Sequence, residues 1–175
     1  FWGMSFVGTK IALSSFSAFA LVFLRFSLAS LFFVALMLKR GFPRFSRQDH
    51  LKLLILSLFQ PWIYFICETY GVKFTTASKA SLIIATIPVA VLILSILILR
   101  QKSNLVSFLG IVCSMLGVFL LISGDFDINF KQSNLNKGDF LLLGAVLSAA
   151  VYILIVNRLG TTFSPVDITA MQVIY

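Results

Sequence analysis

From Ala80 to Leu99 twenty consecutive residues carry no charged side chain, and similar uncharged runs recur from Leu105 to Gly124 and from Phe140 to Asn157. A helix rises about 1.5 Å per residue and the hydrocarbon core of a bilayer is roughly 30 Å thick, so each run is long enough to cross it. A soluble domain cannot be built this way, because only 11% of the side chains are charged and its surface would need many more polar positions. The hydrophobic fraction of 59%, the mean hydropathy of +1.03 and the nineteen phenylalanines fit a surface that faces lipid. The runs are continuous and not alternating, which disfavours a strand barrel. The expected class is an all-α membrane protein, a polytopic helical bundle.

The formal net charge of +8 would suggest a nucleic-acid partner in a soluble protein. Here most basic residues lie between apolar runs, where they set orientation, so no nucleic-acid partner is expected. Cys67 and Cys113 both fall inside apolar runs, which argues against a disulfide framework or a metal site, and no cofactor is expected.

Seven apolar segments are legible: Phe1–Phe16, Ala18–Leu38, Leu51–Val72, Ser78–Leu99, Asn104–Ser123, Gly138–Asn157 and a stub from Val166 to Tyr175. The chain opens without Met inside one apolar stretch and stops inside another, so helix is expected to be missing at both ends. Lys39, Arg40, Arg44, Arg47 and Lys52 follow the second segment, Arg100 and Lys102 the fourth, and Arg158 the sixth. The positive-inside rule places these three connections in the cytoplasm and, with them, the start of the first helix. The expected setting is a multi-pass integral protein of the plasma (inner) membrane. Opposite lie the turn at Ser14–Ser17, the turn at Thr75 and Thr76, and the loop 124–137, whose Asp125, Asp127, Lys131 and Lys137 nearly balance.

An internal repeat is also suggested. Ser15, Phe16 and Ser17 close the first segment after Lys10, and Thr162, Phe163 and Ser164 follow the sixth after Arg158. A unit of five helices returns the chain to the opposite face, so a second copy would insert upside down, as in many secondary transporters. The expected organisation is a first five-helix repeat over 1–123, an extracytoplasmic loop over 124–137 and the start of a second repeat over 138–175.

Ionisable groups inside a bilayer are the sharpest functional signal, since each costs roughly 2.5–3.5 kcal/mol at a helix centre. Lys10, Arg25, Glu68 and Lys79 all fall in the outer half of the membrane on this threading and could share one polar vestibule. Arg25 and Glu68 are the first choice for a direct pair, because guanidinium and carboxylate form directional, often bidentate hydrogen bonds. The plainer reading is that such groups snorkel or glue helices together, and it is favoured for Lys73 and Lys79. A positive excess suits a small-molecule substrate bearing carboxylate or phosphate, and a carboxylate at that depth suits coupling to a proton or other ion.

Pro88 near the middle of the fourth segment removes a backbone donor, so a kink or pivot is expected there, with the Thr86 hydroxyl at hand for a freed carbonyl. Pro61 does the same in the third, beside Gln60 and ahead of Trp62 and Tyr64. Bent helices lining a cavity and static packing kinks are both consistent with this. Trp2, Tyr64, Tyr70 and Tyr152 could stack on a substrate or sit in an interfacial belt, the latter favoured for Tyr70. Gly110 and Ser114, Cys113 and Gly117, and Gly144 and Ser148 are four apart, a spacing that lets helices approach within the molecule or in a homodimer. The sequence holds no P-loop, HExxH or glycine-rich dinucleotide turn, and His50 reads as a solvated loop residue.

The strings FWGMSFVGTK, FLRFSLASL and ETYGVKFTTASKASLIIATIPVAV resemble the EamA-like branch of the drug/metabolite transporter superfamily, and GDFLLLGAVLSAAVYILIVNRLGTTFSP resembles the start of that family's second half. Tyr152 stands later in this run than a strict copy of Trp2 would. The resemblance implies part of a ten-helix carrier of two inverted five-helix repeats around a central cavity, working by alternating access and commonly outward. Trp2, Lys10, Arg25 and Pro88 fall on motif positions, whereas Glu68 is chosen on physical grounds. Two other classes are weighed beside this one. A seven-helix receptor would start outside, against the charge asymmetry, and an intramembrane enzyme would need a His, Asp or Ser cluster that is not found.

Overall fold

The computed structural model describes residues 2–43, 45–100, 106, 108–113, 115–117, 137–159 and 163–175. The side chains of Trp2 and Leu159 lie outside that description, as do Arg44, Lys102, Asp125, Asp127, Lys131 and Thr162. The described residues are helical with no strand among them. The elements are α1 (Trp2–Ser15), α2 (Ala18–Arg40), α3 (Arg47–Ser57), a π-helical stretch Leu58–Ile63, α4 (Tyr64–Phe74), α5 (Ala77–Ile84), α6 (Ile87–Leu99), α7 (Lys137–Leu159) and α8 (Pro165–Ile174). Helical residues also occur between 106 and 117, within the fifth expected segment.

Local chemistry sets the helix ends. Ser17 accepts from the Ala20 amide at the start of α2, and Thr76 accepts from the Lys79 amide at the start of α5. Ser46 and Asp49 form a reciprocal capping box that opens α3. Gly41 ends α2 with φ +87°, a conformation that a residue lacking Cβ adopts without strain.

Among the described residues four stretches are long and apolar enough to cross a membrane: Ala18–Arg40, Arg47–Phe74, Ala77–Leu99 and Lys137–Arg158. Two are broken where the prolines predict. In the first, Gln60 leaves helical geometry (φ −145°, ψ 116°), and the Gln60–Pro61 peptide is cis. The break is more severe than a kink, since it divides one expected helix into α3, a π-helical stretch and α4. The Phe59 carbonyl there accepts from the Tyr64 amide and from the Ser148 hydroxyl of α7 at 2.7 Å. In the second, the helix is interrupted at Ala85 and Thr86, and the Thr86 hydroxyl donates to the Ile83 carbonyl at 2.6 Å. Pro88 then sits in the first turn of α6, where a missing N–H leaves no bond unmade.

The centre of the bundle is α7. Its Leu142, Ala145, Val146 and Ala149 are buried against Tyr64 and Val72 of α4, Ala80 and Ile84 of α5, Ile87 of α6 and Phe6 of α1. Among helices in lipid, close contact of small residues does the work that water exclusion does in soluble cores. The tightest crossing is at Gly71 and Gly138: a Cβ on Gly138 would lie 2.8 Å from the Gly71 carbonyl oxygen and 2.9 Å from Phe74 Cβ. Of the small-residue pairs expected from spacing, Gly144 faces Cys67 at ordinary contact distance, whereas Gly110 and Gly117 have nothing within 4 Å among the described residues. A second apolar cluster joins Leu53 and Leu56 of α3 to Ile168 and Met171 of α8. By contrast α2 buries little, and it presents Phe19, Phe23, Leu28, Leu31 and Phe32 outward.

Candidate functional site

Hydrogen bonds and packing sort the ionisable groups by end. One end gathers Lys10, the carbonyls at the close of α4, Lys79 and Asp139. The opposite end gathers Lys52 and Arg158, which line one cavity, with Phe45, His50, Phe163 and Tyr175 nearby. Lys52 of the first basic connection and Arg158 of the third are thus brought to one cavity. His50 is not a bare loop residue: it lies in α3, and its Nδ1 hydrogen-bonds the Tyr175 hydroxyl.

Lys10 reaches from α1 to donate to the carbonyls of Val72 at 2.8 Å, Lys73 at 3.2 Å and Thr75 at 2.6 Å. Those oxygens are among the last carbonyls of a helix, which have no intrahelical donor and carry the negative end of its dipole, so an ammonium caps them well. Its three protons are therefore directed at backbone. Lys79 does not snorkel to the interface, as the plainer reading expects; it pairs with Asp139 at 2.7 Å, and the Asp139 side chain is only 2% exposed. That carboxylate was not a candidate from sequence, because it stands at the edge of a charge-balanced loop and its partner is sixty residues away.

Arg25 and Glu68 come near one another without forming the direct pair expected of them. Among the described residues the ion pairs within 4.0 Å are Lys52–Asp49 and Lys79–Asp139. The Arg25 guanidinium instead lies over the face of Phe65, 4.8 Å from the ring centroid, a cation–π placement. From there its field acts on both Glu68 and Tyr64. Phe65 of α4, three residues before Glu68, takes the guanidinium in the carboxylate's place, and its ring is further braced edge-on by Phe26 at 5.1 Å and by Tyr64 at 4.9 Å.

Glu68 is 5% exposed, and its Oε2 has no hydrogen-bond partner among the described residues; the same holds for Oγ1 of the adjacent Thr69, which is fully buried. Tyr64, one turn before Glu68 on α4, is 5% exposed. A carboxylate oxygen shut away from both water and donors is costly in any interior and more so in lipid, so such an atom is a place for water, a proton or cargo. The vestibule expected to join four charges therefore resolves into a cap at Lys10, an ion pair at Lys79 and a central locus of Arg25, Phe65, Tyr64 and Glu68. Pro88 lines a separate cleft of about 670 Å³ between α6 and α7, together with Ser95, Asn157 and Arg158. Trp2 begins α1, but its side chain is outside the description. No group of three or more metal-ligating side chains occurs among the described residues.

Comparison with known proteins adds to this geometry. A family profile described as the EamA-like transporter family matches residues 1–123. The uncharacterized transporter YetK of Bacillus subtilis (strain 168) is 28% identical over 172 residues, which is 95% of this chain and 51% of that protein. An uncharacterized transporter of Archaeoglobus fulgidus is 27% identical over 170 residues, covering 97% of this chain and 58% of its own. One from Buchnera aphidicola subsp. Schizaphis graminum is 32% identical over 156 residues, covering 86% and 50%. The chain spans about half the length of the curated relatives it matches. No solved structure matches it significantly.

Proposed function

The chain belongs to the EamA-like transporter family, and on that premise we propose that it forms part of a secondary carrier that moves small metabolites, amino acids or drugs by alternating access, in the direction of efflux. The observation that carries this reading is the buried Glu68, with an unpartnered oxygen, one turn from Tyr64 and within the field of Arg25 on Phe65. A bundle that needed these charges only for cohesion would pair them, as it pairs Lys79 with Asp139. A guanidinium parked on an aromatic face is held by a weaker contact than a carboxylate would give, so it can turn to an arriving carboxylate or phosphate. Glu68 is then the group at which a proton or cation is exchanged against cargo.

The two helix breaks supply the pivots. At Gln60–Pro61 and at Thr86 the continuous amide ladder is interrupted, so the segments on either side can change angle at little cost in hydrogen bonds. The cleft beside Pro88 lies toward the Arg158 end, whereas the Lys10, Lys79 and Asp139 contacts tie the other end together. A carrier open at one end and closed at the other has this form. In the plasma membrane the Arg158 end is cytoplasmic by its charge.

The test is uptake and efflux profiling of the full-length protein in proteoliposomes, with Arg25→Ala and Glu68→Ala. Each variant is expected to lose transport at least tenfold while eluting as folded protein. Normal rates in both would remove the central locus from the pathway.

A further inference from the structure

At the Lys10 end of the bundle three helices are tied through backbone. The Lys10 ammonium of α1 grips the carbonyls of Val72, Lys73 and Thr75 at the close of α4, and α7 crosses α4 with Gly138 packed on the Gly71 carbonyl. These contacts hold α1, α4 and α7 as one unit there. The neighbouring α5 is held differently. It runs only from Ala77 to Ile84, and among the described residues its polar contact with another helix is the pair of Lys79 with Asp139 of α7 at 2.7 Å.

The break before Pro88 also separates α5 from α6. Pro88 has no N–H to offer the Ile84 carbonyl four residues before it. The chain passes the break through tighter bonds, from the Thr86 amide to the Ile83 carbonyl and from the Val89 amide to the Thr86 carbonyl, each 3.0 Å. At the other end of α5 the Thr76 hydroxyl oxygen accepts from the Lys79 amide, so the helix starts in a cap of its own. A short helix capped at one end and broken at the other can swing as a lever with its internal bonds intact.

What this lever covers is the face of α4 that carries Tyr64 and, one turn on, Glu68. Ala80 is fully buried and Ile84 nearly so, in one cluster with Tyr64 and Val72 of α4 and Leu142 of α7. Two of the residues that α5 sends into this cluster, Ala77 and Ala80, have no side chain to interlock, so lifting it loses little packing. The ion pair suits a latch for the same reason. Burying two charges costs about what their attraction returns, whereas removing one partner leaves the other uncompensated and drives it toward water.

We propose that α5 is a gate, hinged at Ala85–Thr86 and latched by Lys79 and Asp139, whose opening admits water and cargo to the Tyr64 and Glu68 face of α4 from the Lys10 end. As a step of transport it rests on the carrier reading; as a movement of α5 it is tested without cargo.

The experiment follows Ala80→Cys in the full-length protein, with Cys67 and Cys113 replaced, in lipid nanodiscs where both ends meet a charged thiosulfonate. With the pair intact this cysteine is expected to react slowly. Asp139→Asn should raise its rate about tenfold or more, and the exchanged pair, Lys79→Asp with Asp139→Lys, should bring it back toward the starting value. A separate variant, Ser57→Cys, reports general loosening: Ser57 is buried beyond the break at Pro61, and its rate should stay low throughout. Spin labels at Ser78 and Lys137 should move apart in Asp139→Asn and return in the exchanged pair. Rates that respond in this way in a protein without transport activity support the gate and remove only the carrier reading. An Ala80→Cys rate that Asp139→Asn leaves unchanged, labels that stay together, or equal rises at Ala80 and Ser57 that the exchange does not reverse, would overturn the proposal.

Discussion

Lys10 shows how far a residue's type and depth can be read from sequence and where that reading stops. Its position near the end of an apolar run marks it as costly and therefore purposeful, but only the fold reveals that its ammonium caps α4 through Val72, Lys73 and Thr75. Lys10→Met should lower stability by about 1–3 kcal/mol, through lost charge-assisted bonds and lost dipole compensation, in an equilibrium unfolding titration with a denaturing detergent. Lys10→Arg should recover part of that. Wild-type stability with transport abolished would instead put Lys10 in the pathway. Arg25 and Glu68 were likewise legible as intramembrane charges, because Arg25 is the one charge between Ile11 and Leu38 and Glu68 closes an uncharged run from Leu53 to Cys67. Their failure to pair was not legible, since it depends on the Phe65 ring of α4 meeting the Arg25 guanidinium of α2. Asp139 was passed over for the opposite reason: its sequence neighbours make it look like an ordinary interfacial acid, and its burial is a product of how α5 packs on α7.

At the level of elements, the proline positions announced both breaks, whereas the caps at Ser17, Ser46 and Thr76 emerge from the structure, and the Ser46 capping box starts α3 at Arg47, four residues before the apolar run at Leu51. Of the four-apart small pairs, Gly144 and Ser148 meet Cys67 and the Phe59 carbonyl, whereas the tightest crossing falls at Gly71 and Gly138, on different helices and in no shared motif. The two glycines should differ in tolerance. A Cβ at Gly138 would meet Gly71 oxygen at 2.8 Å and Phe74 carbonyl carbon at 3.1 Å, both backbone atoms that move only if the helices part. Gly138→Ala is therefore expected to cost about 1–3 kcal/mol in thermal unfolding followed by size-exclusion chromatography. Gly71→Ala strikes chiefly the side chain of Leu142, 2.6 Å away at Cγ, and should cost less to the extent that this buried leucine can shift. Equal midpoints for Gly138→Ala and wild type would mean that the crossing is looser than drawn.

Across the whole molecule the arrangement sets two ends against each other, a tied end at Lys10, Lys79 and Asp139 and a basic end at Lys52 and Arg158. Single cysteines at Gln48 and Arg100 in a background with Cys67 and Cys113 replaced should react with a membrane-impermeant maleimide only in inverted vesicles, and one at Ser78 only in intact cells. The reverse pattern would invert the threading and with it the direction assigned to the cleft beside Pro88. The sequence by itself determined that this chain is an all-helical membrane protein, picked out the four described stretches long and apolar enough to cross a membrane, and marked where two of them break. These follow from hydrocarbon thickness and backbone hydrogen bonding, both of which act on consecutive residues. Only the tertiary structure decided that Lys10 caps a helix, that Lys79 finds Asp139, and that Arg25 rests on Phe65 while Glu68 keeps an unpartnered oxygen. Each of those depends on side chains tens of residues apart being brought within a few ångströms, a distance fixed by how helices pack and by nothing local to either residue.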